Sequence, residues 1–132
     1  LLFACRIGFV KIKGNILHTQ EGYAAGELKH GTLALIYENS LVIVLITDKE
    51  LSVKTKNALH EVIARGAPVL LFSQYEELKE KKCRFFKLPG LDDILMPLIE
   101  IIPLQLFAYF VTRSKGLDAD KPRNLAKSVT VE

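Results

Sequence analysis

The chain has 132 residues, 49% of them hydrophobic, which is enough to bury one core and supports one domain or part of one. Its formal charge of +3 comes from scattered lysines, without the aromatic-interleaved basic stripe of a nucleic-acid groove. Cys5 and Cys83 form no CxxC pair and no His pair stands at ligand spacing, so neither a structural zinc site nor a disulfide framework is indicated and a reducing, cytoplasmic setting fits; no metal and no cofactor is expected.

The opening Leu1-Leu2-Phe3-Ala4-Cys5-Arg6 has neither an initiator Met nor a long apolar region ending in a cleavage site, so a truncated start is expected rather than a signal peptide. Residues 41–46 are a continuous apolar, β-branched run that predicts a central strand buried on both faces. Asp48 is placed to cap a helix over about 50–65, with Leu51, Leu59, Val62 and Ile63 on one face and Gly66 at its end. Residues 68–73 predict a second buried strand. After a short helix, residues 83–88 predict a shorter, more polar edge strand.

Past Pro89-Gly90 the pattern predicts helix over about 92–115, with Pro103 expected to kink or restart it. Residues 94–111 are apolar enough to raise a membrane span, but Pro97, Glu100, Pro103 and Gln105 interrupt them, so a buried helix is expected and no membrane. Strand, helix, strand, short helix, strand, helix is the order of right-handed parallel crossovers. The expected fold is α/β, a three-layer αβα sandwich with a mostly parallel sheet.

The last residues, Pro122-Arg123-Asn124-Leu125-Ala126-Lys127-Ser128-Val129-Thr130-Val131-Glu132, are too polar for core. Pro122 and Asn124 oppose helix, and Ser128 to Val131 alternate like an extended segment. By residue type Lys127 reads first as a solvated charge and second as an amine aimed into a site.

That tail, with Gly116-Leu117-Asp118-Ala119-Asp120 before it, resembles the C-terminus of the glutamine–fructose-6-phosphate aminotransferase (isomerizing), or glucosamine-6-phosphate synthase, family. The block Glu21-Gly22-Tyr23-Ala24-Ala25-Gly26-Glu27-Leu28-Lys29-His30-Gly31 resembles the same family's segment at the dimer-shared active site. Ala64-Arg65-Gly66 and the run from Ile102 to Tyr109 match in order and approximate spacing, so the similarity spans residues 21–132.

The resemblance implies most of the second of two sugar isomerase (SIS) domains, flavodoxin-like and incomplete at the N-terminus, over residues 21–115, followed by a catalytic tail over 116–132. The parent would be a cytoplasmic homodimer that makes glucosamine 6-phosphate from fructose 6-phosphate and glutamine, the first step of amino-sugar synthesis. Lys127 would form a Schiff base with the open-chain ketose, Ala126 would touch the sugar through its backbone, and His30 would assist ring opening in the neighbouring subunit's site. Arg123 and Asn124 would shape the tail, while His18 and His60 read as structural or solvated.

One segment departs from the family. Its proton-moving glutamate lies in a helix reading Lys-Leu-Lys-Glu-Ile-Ser-Tyr-Ile-His, where this chain reads Lys11-Ile12-Lys13-Gly14-Asn15-Ile16-Leu17-His18-Thr19. Gly14 supplies no carboxylate and weakens a helix. Permitted codons for residues 9–19, read one nucleotide later, give Ser-Leu-Lys-Leu-Lys-Glu-Ile-Ser-Tyr-Ile, so residues 1–20 are expected to be an aberrant, out-of-frame segment. With the glutaminase, the first SIS domain and the glutamate missing, the chain alone is expected to be inactive. The alternative is a non-catalytic SIS-type module that binds a phosphosugar or mediates dimerisation.

Overall fold

The computed structural model describes residues 2–4, 21–28 and 31–120. Five strands, β1 (Leu2–Ala4), β2 (Glu21–Tyr23), β3 (Val42–Ile46), β4 (Val69–Ser73) and β5 (Cys83–Lys87), form one sheet in the order β2-β1-β3-β4-β5. Every pairing is parallel. Helix α1 (Ser52–Ala64) connects β3 to β4, and α2 (Met96–Ser114) follows β5.

β3 lies mid-sheet, and each of its residues is buried. Because alternate side chains leave a strand on opposite faces, Val42, Val44 and Ile46 pack with Ala58, Leu59 and Val62 of α1. Ile43 and Leu45 pack on the other face with Met96 and Leu104 of α2. The two clusters make the expected three-layer αβα sandwich, and a strand covered on both sides has to be apolar throughout rather than alternating.

α1 begins two residues later than its pattern suggests. The Asp48 carboxylate accepts from the backbone N–H groups of Glu50 (2.8 Å) and Leu51 (3.2 Å), so it closes the turn ahead of the helix. Leu51 therefore stays outside the core face, whereas Leu59 and Val62 are buried. The end is set by Gly66 at φ +77°, whose N–H donates to the Ile63 carbonyl (3.0 Å), the left-handed stop for which glycine is suited.

The short helix before β5 is a single 3-10 turn, Glu76–Leu78, and β5 has five residues, the same length as β3 and β4. α2 runs unbroken through Pro103, so the proline removes one backbone donor without restarting the helix. Pro97 sits in the first turn, where no intrahelical donor is needed. Beyond α2, Gly116 (φ +69°) and Leu117 donate to the carbonyls of Arg113 (3.0 Å) and Thr112 (3.1 Å), reversing the chain at the head of the tail. α2 is buried on its sheet-facing side alone: Leu98, Leu106 and Phe110 are exposed.

Candidate functional site

The carboxyl ends of parallel strands are where the backbone leaves the sheet and ligands bind in open α/β folds. Beyond β3 lies a cleft of about 190 Å³. Its floor is the end of β3 with Thr47 and Asp48, one wall is Leu51, Lys54 and Thr55 at the start of α1, and the other is Ala24, Ala25 and Gly26 after β2. A Cβ placed on Gly26 would meet nothing within 4 Å, so that wall is open at its glycine.

The floor is held by hydrogen bonds reaching three elements. The buried Thr47 hydroxyl donates to the buried Glu100 carboxylate on α2. The Thr47 carbonyl accepts from Gln74 Nε2 (2.9 Å) and from the Tyr75 hydroxyl (3.3 Å). The Ser73 hydroxyl donates to the Ile46 carbonyl and accepts from the Tyr75 N–H (3.0 Å). Asp48 spends one oxygen on the turn described above, and the Thr55 hydroxyl donates to the Leu51 carbonyl (3.0 Å). These groups fix backbone positions, and fully satisfied buried networks of this kind rigidify what they join.

Residue type alone did not single out Thr47 or Glu100. Their signals are a polar residue directly after an apolar parallel strand, and a glutamate spaced four residues from both Met96 and Leu104, on the same buried side of α2. Glu100 thus interrupts the apolar run because it has an interior partner.

The expected site residues His30, Ala126 and Lys127 lie outside the described residues, as do Arg123, Asn124 and Gly14. Their described neighbours do bear on the cleft. The block that carries His30 supplies the Ala24–Gly26 wall, and Leu28, 1% exposed, anchors that block in the core under α1. Leu33 donates to the Leu28 carbonyl (3.0 Å), tying together the two sides of positions 29 and 30. His60, on an exposed part of α1, sits 3.0 Å from Glu80 Oε1, and hydrogen bonding from His60 holds the Glu80 carboxyl below its usual range. Burial, with Glu80 adding to it, pushes the Cys83 thiol up to about 11, which leaves it a poor nucleophile. Among the described residues no three His, Cys, Asp or Glu side chains are grouped to hold a metal.

Comparison with known proteins gives these features a family. Residues 3–112 match the SIS domain family. The chain is 45% identical over 129 residues to the glutamine–fructose-6-phosphate aminotransferase (isomerizing) of Clostridium perfringens, covering 95% of this chain and 21% of that protein. Against the protein of the same name from Bacillus subtilis it is 44% identical over 130 residues, covering 98% and 21%. The chain thus spans about a fifth of the length of the curated relatives it matches. A solved structure, the C-terminal domain of glucosamine-fructose-6-phosphate aminotransferase from Francisella tularensis, superposes with a TM-score of 0.83 at 34% identity, covering 91% of this chain and 37% of that one. The family model over residues 3–112, the sequence identity and the superposition all agree: the chain belongs to the SIS domain family.

Proposed function

We propose that this chain is the C-terminal, isomerase-side portion of an enzyme that converts fructose 6-phosphate and glutamine to glucosamine 6-phosphate, and that it does not turn over by itself. The observation that carries this reading is the 45% identity, sustained over 95% of the chain, to a relative bearing that name. Residues 21–115 are then part of the second SIS domain and residues 116–132 its catalytic tail. The parent acts as a cytoplasmic homodimer, without nucleic acid or membrane.

In this reading the Lys127 amine condenses with the C2 carbonyl of the open-chain ketose, losing water to form an imine, and Ala126 meets the sugar through its backbone. His30, supplied to the neighbouring subunit, passes a proton during ring opening, for which an imidazole near neutrality is suited. The cleft supports a partial role: at about 190 Å³ it falls below the ~300–1,000 Å³ of complete small-molecule sites, so it forms one wall and needs others.

Incubating the purified chain with fructose 6-phosphate and borohydride tests this. Hydride reduction of the imine would leave a stable secondary amine at Lys127, located by peptide mass spectrometry and absent in Lys127→Ala. Binding of the sugar phosphate without any adduct would instead favour the second reading, a non-catalytic phosphosugar-binding or dimerisation module. Gly14 at the family's glutamate position speaks for that module.

We further propose that the departure around Gly14 is a frame change in the coding DNA. The pairing of β1 between β2 and β3 favours placing its start after Ala4. Codons for residues 9–19 that cannot spell the family helix in the shifted frame would eliminate the idea.

A further inference from the structure

We infer that Glu80, gripped by Lys56 and His60 of α1, is a latch that sets how often the amino end of β5 opens from the sheet and uncovers Cys83. This rests on the edge of the sheet and holds whether or not the chain acts on a sugar phosphate.

β5 ends the sheet, so β4 is its one strand neighbour among the described residues. Cys83, opposite Val69, starts the strand, and Cys83 and Phe85 sit half-buried at the margin of the core under α1. The chain reaches β5 from Leu78, 6% exposed, by way of Lys79-Glu80-Lys81-Lys82. That turn has no apolar side chain with which to hold itself to the body, and stretches without buried apolar contacts are where folded proteins open locally.

Glu80 supplies the attachment. Its Oε1 lies 3.0 Å from His60 Nε2 and 3.5 Å from Lys56 Nζ. The two stand four residues apart, on one side of α1. The Glu80 carbonyl accepts from the Cys83 N–H (3.1 Å), so one residue ties the first amide of β5 to the helix. Lys79, Lys81 and Lys82 flank Glu80 and are exposed, while Glu76, on the preceding 3-10 turn, is held by Lys87 (2.6 Å). The grip on Glu80 therefore carries the attraction to α1 in a turn otherwise rich in lysine, which Lys56 would repel.

Alkylation of Cys83 by iodoacetamide at pH 8, on the folded full chain and located by peptide mass spectrometry, reads the opening. Lys56→Ala and His60→Ala should each quicken it about two- to fivefold, the upper range for losing an exposed ion pair. His60→Gln, whose amide still donates to Glu80, should stay close to the rate of the unaltered chain. The direction is decisive, because removing a cation without opening the turn would raise the thiol's pKa and slow the reaction. A rate unchanged or lower in Lys56→Ala, a His60→Gln as fast as His60→Ala, or a quickening matched by an equal rise in the global unfolding constant in urea would each overturn the latch.

Discussion

Replacing Thr47 by valine removes one hydroxyl and almost no volume, so it isolates the bond between the cleft floor and α2. Thr47 is 2% exposed and Glu100 4%, so water is poorly placed to take over from the lost donor. A buried acceptor deprived of a partner costs about 1–3 kcal/mol. Near 2 kcal/mol, a chain of this length should melt about 7 °C lower. Glu100→Met alone should cost a similar amount by leaving the Thr47 hydroxyl facing an apolar chain. The double variant should cost at least about 1 kcal/mol less than the two single costs together, because replacing both partners by apolar groups leaves neither orphaned. Urea unfolding followed by circular dichroism measures all four corners of the cycle. Costs that simply add, within about 0.5 kcal/mol, would refute the claim that this bond joins α2 to the cleft.

Two further outcomes follow from geometry already described. Gly66→Ala should destabilise by about 1–2 kcal/mol in the same urea assay, since the added Cβ would be strained at φ +77° and stand 3.0 Å from Glu38 Cγ. Cys83 should alkylate with iodoacetamide at pH 8 far more slowly than in the urea-unfolded chain, because burial and then Glu80 raise its pKa to about 11 from an ordinary 9.0. A thiol whose folded pKa is raised favours folding below the unfolded value, so this contribution should fade as pH climbs from about 9 to 11. A Cys83→Ser variant with the same alkaline stability profile would contradict that.

The sheet's centre was legible because a parallel strand covered by helices on both faces must be apolar at every position, as residues 42–46 are. β1 and β2 were not, since three-residue strands are too short to show any period and gain their place only from neighbours. α2 was legible as a helix, but Pro103 misled about its continuity: a helix held by Met96, Glu100 and Leu104 against the sheet tolerates one missing donor. The cleft escaped residue-by-residue reading for a different reason. Its walls join Ala24–Gly26 to Thr55, segments brought together by the crossover rather than by spacing. The matched block at residues 21–31 pointed to one wall; Thr47 and Glu100 emerge only when α2 is laid against β3.

The polar atoms around the cleft divide into those that build and those that could react. The Thr47 hydroxyl binds the Glu100 carboxylate, Ser73, Gln74 and Tyr75 bind backbone groups or one another, and Asp48 holds a turn. The cleft's cation, Lys54, stands on the first turn of α1. On the proposed reading the chemistry must then arrive from the two ends of the chain's framework, the block that Leu28 anchors and the tail that begins at the Gly116 reversal. The Thr47–Glu100 bond lies between them, because it fixes α2, and α2 sets where the tail begins. If borohydride trapping at Lys127 occurs, Thr47→Val should lower its rate without changing which residue is trapped. A Lys127 adduct formed at an unchanged rate would mean that the tail finds the sugar independently of α2.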